Sequence, residues 1–213
     1  MNQLSSLNKV QILRNLANSA FGADRKLRLW KDNGFTAPAP LSVKHAVLFR
    51  EGIDRGIWVE TGTYLGQTTA ALSSRGWTVY SVEADAELYS RAVKKFSDTS
   101  NVSVSHGASE SVLEDLLPTL SGPVNFWLDA HYSGSSTYGA GANSPIAGEV
   151  SVIEKNLPSI SPICVLVDDL RCFNDDAGKY PSLNWLVDWA TRNKLVWHIE
   201  HDIFVAKSGD VAV

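Results

Sequence analysis

The sequence predicts a doubly wound α/β fold: a mostly parallel, seven-stranded sheet with helices on both faces and an antiparallel strand pair at its C-terminal end. Two observations predict it. Five short apolar runs, at Ile57–Glu60, Thr78–Glu83, Val102–Ser105, Val124–Leu128 and Ile163–Val167, alternate with helix-like stretches, as strands buried on both faces of a parallel sheet do. The last two runs, LVWHIE and DIFVAK, instead alternate enough to pair as an antiparallel edge.

The elements follow in order. Residues 3–20 set Leu4, Leu7, Val10, Leu13, Leu16 and Ala17 at three- and four-residue steps, the one-sided stripe of an amphipathic helix. It reads as packed on the domain, with a lid or a dimer contact as the sharper alternative. KDNGFTAPAP, Lys31 to Pro40, is a glycine- and proline-rich connection. Ser42 is expected to cap a helix that buries Val43, Ala46, Val47 and Ile53 and closes at Gly56. Further helices are expected from Gln67 to about Ser74, from Ala86 to about Phe96, over SESVLEDLL with Ser109 or Ser111 as N-cap, from Pro145 to Leu157, and from Ser182 to Arg192. The chain is one domain overall, with residues 1–41 as a helical extension or lid and residues 42–213 as a Rossmann-like body.

Composition narrows the function. The 213 residues suffice for a full core and fit one large domain. A net charge of -4, with the basic residues spread along the chain, argues against a nucleic-acid partner. No apolar stretch approaches the roughly 18 residues of a membrane span, and MNQLSSLNKVQ lacks the basic-then-apolar pattern of a secretory signal. A cytoplasmic protein with no membrane partner is expected. Cys164 and Cys172 have neither metal-site nor disulfide-framework spacing and read as reduced thiols.

The segment IWVETGTYLGQTT, Ile57 to Thr69, carries the first functional signal. An apolar strand stops at Glu60, and Gly62 and Gly66 follow in a turn that leads into a helix. Glycines let backbone approach a ligand, and the next helix start offers free N–H groups. About 20 residues on, VYSVEAD ends a second strand at Glu83, where a carboxylate can accept both hydroxyls of a ribose. In a doubly wound sheet ligands bind beyond the carboxyl ends of the strands, and here those ends carry Glu60, Glu83, Asp129, Asp168 and Asp169. Each acid alone can be a helix or turn cap, but as a set they need a positive or hydrogen-bonding partner. Asp129, Asp168 and Asp169 are three hard oxygen donors that suit one divalent cation such as Mg²⁺.

These residues resemble a family. VETGTYLGQTT is similar to the first motif of class I S-adenosylmethionine-dependent methyltransferases, above all the small metal-dependent O-methyltransferases of the catechol and caffeoyl-coenzyme-A type. VYSVEADAELYSRAVKKF resembles their second motif and HGASESVLEDLL their third. The resemblance implies S-adenosylmethionine as cofactor, held by Glu60, Thr61, Gly62, Thr63, Tyr64, Gly66, Thr68, Glu83, Ala84, Gly107, Ala108, Ser109 and Asp129. It also implies a divalent metal, Mg²⁺ or similar, on Asp129, Asp168 and Asp169. DAHYSG, Pro145 with Glu149, DDLRCF, Tyr180-Pro181-Ser182 and HDIFVA resemble a further methyltransferase-like group nearly to the C-terminus, without indicating what is methylated.

Two departures bear on mechanism. Where the catechol-type enzymes carry a lysine base, three residues after the first metal acid, this chain has Tyr132, with His131 beside it. His131 is the well-placed group that titrates near neutrality, so His131 and Asp129 are the candidate catalytic pair, with a role beside the metal acids as the other reading of His131. The polar insertion YSGSSTYGAGANSP is expected to be either a flap over the site or a plain surface loop. Arg171 could bind an anionic substrate group or neutralise Asp168 and Asp169; next to two acids the salt bridge is the expected reading, and it would weaken the metal site. The expected activity is metal-assisted O-methylation of a small polar acceptor, a sugar or phenolic hydroxyl, with a homodimer possible. The alternative is a cofactor-binding sensor or assembly protein without transferase activity. A nicotinamide dehydrogenase lacks its G-x-G-x-x-G, and a hydrolase lacks its G-x-S-x-G.

Overall fold

The computed structural model describes residues 22, 24–129, 144–174 and 179–209. Seven strands form one sheet: β1 (Ile57–Thr61), β2 (Val79–Glu83), β3 (Val102–His106), β4 (Val124–Leu128), β5 (Ile163–Val167), β6 (Leu195–Glu200) and β7 (Ile203–Ser208). Their order is β3-β2-β1-β4-β5-β7-β6. The first five pair in parallel, and β7 runs antiparallel to both neighbours, β5 and β6. The expected mostly parallel sheet with a C-terminal antiparallel pair is the observed one. The order reverses between β1 and β4, the switch point at which such sheets open a crevice.

Strand alternation divides the apolar residues into two cores. Val59, Phe126, Leu128, Val165, Val167 and Phe204 face one side, and Trp58, Trp127, Cys164, Leu166 and Val205 face the other. On the first side lie helices over Ser109–Leu116, Ile146–Ile160 and Leu183–Arg192, which contribute Leu113, Ile153 and Trp189. On the second lie helix α1 (Leu41–Glu51), with Val47 and Leu48, and helix α2 (Gln67–Ser73), with Leu72. Helix α3 (Ala86–Phe96) packs along β2 and β3. The helices after it are α4 (Ser109–Leu116), α5 (Ile146–Ile160) and α6 (Leu183–Arg192).

Some expected ends shift. Pro40 rather than Ser42 holds the N-cap of α1, which stops at Glu51 with Gly52 after it rather than at Gly56. At Gly52 a Cβ would lie 2.4 Å from the Trp58 ring, so the chain must turn there to let the sheet residue in. Helix α4 starts at Ser109 after Ala108, without a side-chain cap. Helix α5 continues past Leu157 to Ile160, carrying Pro158 in its last turn. The lost backbone hydrogen bond is offset by burial of Ile160 in the core. The helix expected over residues 3–20 lies outside the described residues. No described helix is long and apolar enough to cross a membrane.

A buried polar side chain ties the turn after α1 to the sheet. Asn125, fully buried on β4, accepts from the Ile53 N–H at 2.7 Å and donates to the Ile53 carbonyl at 3.1 Å. It thereby pairs the Ile53 N–H and gives the Ile53 carbonyl a second donor beside the Gly56 N–H at 3.2 Å. Asn125→Ala is expected to leave the Ile53 N–H unpaired, while the Ile53 carbonyl keeps the Gly56 N–H at 3.2 Å, and to lower stability by roughly 1–3 kcal/mol. Urea denaturation measures this, and an unchanged midpoint would refute the role of the clip.

Candidate active site

Strand register builds the site. Thr61, Leu128 and Val167 are level across β1, β4 and β5, so the next residues, Gly62, Asp129 and Asp168, emerge side by side at the carboxyl edge. The ladder carries on past the strands, with the Asp129 N–H donating to the Thr61 carbonyl at 3.2 Å and the Asp168 N–H to the Leu128 carbonyl at 2.9 Å. A cavity of about 440 Å³ opens above this edge. Of the expected cofactor residues, Thr61, Gly62, Tyr64, Glu83, Ala84, Gly107, Ser109 and Asp129 line it, together with Lys44, Glu149, Asp168 and Asp169.

The glycine loop is braced from behind. Gly62 has φ 86° and faces Asp129, where a Cβ would lie 3.3 Å from the Asp129 Cβ, so a side chain is disfavoured on both counts. Gly66, at φ 64°, starts α2 where a Cβ would strike the Phe96 ring at 2.7 Å. Glu83 Oε2 accepts from the Tyr64 N–H at 2.7 Å and Oε1 from the Asp85 N–H at 3.0 Å. Lys95 of α3 donates to the Leu65 and Gly66 carbonyls, both at 2.7 Å. The strand-end acid and the lysine thus hold opposite polarities of the loop backbone.

Glu60, Thr63, Gly66, Thr68 and Ala108 are not among the cavity-lining residues. Glu60 follows Trp58 by two residues and shares its face, where its Oε2 accepts from Thr69 at 2.5 Å and from Ser81 at 2.7 Å. Thr63 Oγ1 and Ser81 Oγ share a hydrogen bond of 2.6 Å beside it. Thr68 Oγ1 lies 3.2 Å from His45 Nε2, and burial lowers the His45 pKa to about 4, so this imidazole is neutral. Ala108 supplies the N-cap position of α4. Thr61 faces the opposite side from Glu60, towards Glu149 of α5. Glu149 is fully buried, its Oε2 makes no hydrogen bond among the described residues, and burial lifts its pKa to about 7.

The acids from the two central strand ends come together. Carboxylate oxygens of Asp129, Asp168 and Asp169 all lie within 4.8 Å of one another. Asp169 adopts φ 56°, and its N–H donates to Asp168 Oδ1 at 2.8 Å, a local bond that tolerates the left-handed turn. The β6–β7 turn fixes this corner: Asp202 accepts from the Leu170 N–H through its carbonyl at 2.9 Å and from the Arg171 N–H through Oδ1 at 2.7 Å. Arg171 Nη1 bonds Asp169 Oδ1 at 2.8 Å, as expected, but its second partner is Asp202 Oδ2 rather than Asp168, which Lys44 holds.

Lys44 is the residue that sequence reasoning missed. It lies three and four positions before Val47 and Leu48, on the buried face of α1. Its Nζ sits 2.5 Å from Asp168 Oδ2 and 3.1 Å from Asp169 Oδ1. Burial works against the ammonium, but the two carboxylates outweigh it and leave the Lys44 pKa above its ordinary value. The only advance signal was a lysine at helical spacing from two core aliphatics. His131, Tyr132 and the glycine- and serine-rich insertion fall outside the described residues. Cys164 is buried, Cys172 is partly buried, and both are free thiols.

No protein family and no curated protein matches the chain in sequence. Solved structures match its fold. A caffeoyl-CoA O-methyltransferase-like protein from Staphylococcus aureus aligns with TM-score 0.54 and 14% identity over 95% of this chain and 100% of that one. An rRNA-methylase-like protein from Clostridium thermocellum aligns with TM-score 0.54 and 12% identity over 78% of this chain and 94% of that one. The precorrin-6y C5,15-methyltransferase of Geobacter metallireducens aligns with TM-score 0.51 and 12% identity over 77% and 88% respectively. The chain shares its fold with these proteins.

Burial raises the Glu60 pKa to about 7, from an ordinary 4.5, against the pull of the Thr69 and Ser81 hydroxyls. The folded protein therefore holds a proton that the unfolded chain releases, and stability falls as pH rises through this window and levels off above it. Glu60→Gln is expected to lessen that fall by up to about 3 kcal/mol. Denaturant midpoints of both proteins at about pH 5 and about pH 8 measure the difference, and parallel pH profiles would assign the decline elsewhere.

Proposed function

We propose that the chain is an S-adenosylmethionine-dependent methyltransferase that methylates a hydroxyl of a small polar acceptor, a sugar or a phenol. The observation that carries this reading is the juxtaposition of Gly62 and Glu83 on one wall of the cavity. A backbone turn with no side chain meets a carboxylate at the next strand end, and the two are tied through the Tyr64 N–H. A nucleoside can lie against the bare turn while the carboxylate accepts from its ribose hydroxyls. The adjoining stretch of the edge, with Asp129, Asp168, Asp169 and Lys44, is polar and suits an acceptor hydroxyl. At about 440 Å³ the cavity is within the usual range for small-molecule sites.

Methyl transfer asks the protein mainly for alignment. A bond forms between the acceptor oxygen and the methyl carbon as the bond from that carbon to sulfur breaks. The products are the methyl ether, S-adenosylhomocysteine and a proton. Asp129, which lies against Gly62 on one side and clusters with Asp168 and Asp169 on the other, is the residue best situated to orient both reactants.

Metal assistance is the part of the expectation that meets resistance. The three aspartates are suitable donors in kind for a divalent ion. Two of their oxygens, however, already bond the Lys44 ammonium, and Arg171 holds Asp169 as well. With Lys44 in this position the residues do not fit a metal.

Calorimetric titration with S-adenosylhomocysteine tests the cofactor reading directly. Binding is expected with and without chelator, and Glu83→Ala is expected to weaken it by about tenfold or more, the scale of a lost charged hydrogen bond pair. Absence of binding in both conditions would sink the methyltransferase reading. Asp168→Ala is expected to abolish transfer while leaving that binding largely intact. Loss of both would mean that the acids and the loop do not divide the work in this way.

A further inference from the structure

We propose that the Lys44 ammonium is the cation of the acid cluster, standing in place of a divalent metal and excluding one. Three lines of geometry support it. Asp129, Asp168 and Asp169 bring three carboxylates within one ion's reach, with Asp168 and Asp169 only 3% and 4% exposed, a crowding that needs nearby positive charge. Lys44 meets that need from a different layer of the fold. It bonds one oxygen of each buried acid at the same time, 2.5 Å from Asp168 and 3.1 Å from Asp169, as a bridging ion would. It is also held there: Val47 and Leu48 anchor its helix in the core, and the Asn125 bonds to Ile53 fix the turn that follows.

Lys44 and Arg171 already bring two cations to this corner, with Arg171 shared between Asp169 and Asp202. A divalent ion added beside a retained Lys44 would lie against another cation. An ammonium has three N–H bonds, and two serve the aspartates. Lys44 also lines the cavity, so the third can donate to an acceptor oxygen. That last role rests on the proposed function, whereas the exclusion of metal does not.

The test is Mn²⁺ titration of the full chain, followed by electron paramagnetic resonance of the free ion, for wild type, Lys44→Gln and Lys44→Arg. Wild type and Lys44→Arg are expected to bind Mn²⁺ no more tightly than about 1 mM, and Lys44→Gln to gain about tenfold or more, on the scale of one removed like charge. Thermal melts check that each variant is folded. Mn²⁺ bound by the wild type as tightly as by Lys44→Gln overturns the proposal, and so does failure of Lys44→Gln to bind it at all. If Lys44→Gln does not fold, the wild type still decides, since micromolar Mn²⁺ binding there is incompatible with a resident ammonium. S-adenosylhomocysteine titrations on the same samples read the cofactor assignment separately: its failure would leave the Mn²⁺ pattern standing, and the reverse.

Discussion

The register of three parallel strands is the constraint on which the site depends. Because Thr61, Leu128 and Val167 are level, one residue further along each chain suffices to set a bare backbone turn beside two carboxylates. A slip by one residue would exchange the two faces of a strand and carry its terminal acid away from the crevice. The apolar residues that prevent such a slip are the same ones that form the two cores: Trp58 and Val59, or Leu166 and Val167, cannot change places without burying the wrong shape on each side. Packing far from the cavity thus sets distances within it.

The site itself has two halves of different construction. The loop half is held by backbone hydrogen bonds and by groups of opposite sign, Glu83 on the N–H of Tyr64 and Lys95 on two carbonyls. The acid half is held by charge, with Lys44 and Arg171 threaded among the aspartates and Asp202 closing the corner from the last hairpin. Desolvation makes those ion pairs interdependent: removal of one partner leaves a buried charge uncompensated, so the group acts as a unit.

Much of this was legible in the sequence because buried parallel strands write themselves as short apolar runs, and the acids that end them mark the crevice. Helix α3 was bounded correctly since Asp85 supplies a real cap, accepting from the Glu87 and Leu88 N–H groups. Helix α1 was misjudged at both ends: Ser42 looked like a cap but lies inside the helix, and the turn is closed by Asn125, 72 residues away in sequence. Lys44 was invisible for a related reason. Its partner Asp168 is 124 residues distant, and a lysine in an amphipathic stretch ordinarily marks the solvent face. Glu60 shows the limit of motif reading, since strand alternation turns it towards Thr69 and Ser81, behind the loop that it introduces.

The two halves also differ in when they can form. Every brace of the glycine loop comes from residues between Gly62 and Lys95, a stretch that is complete early in synthesis from the N-terminus. The acid corner cannot close until Asp202 has emerged and the final hairpin has docked on β5. The residues that brace the glycine loop are therefore all present well before those of the charged wall. Until that wall closes, two aspartates and a lysine remain hydrated, and the cost of burying them falls on the last step of folding.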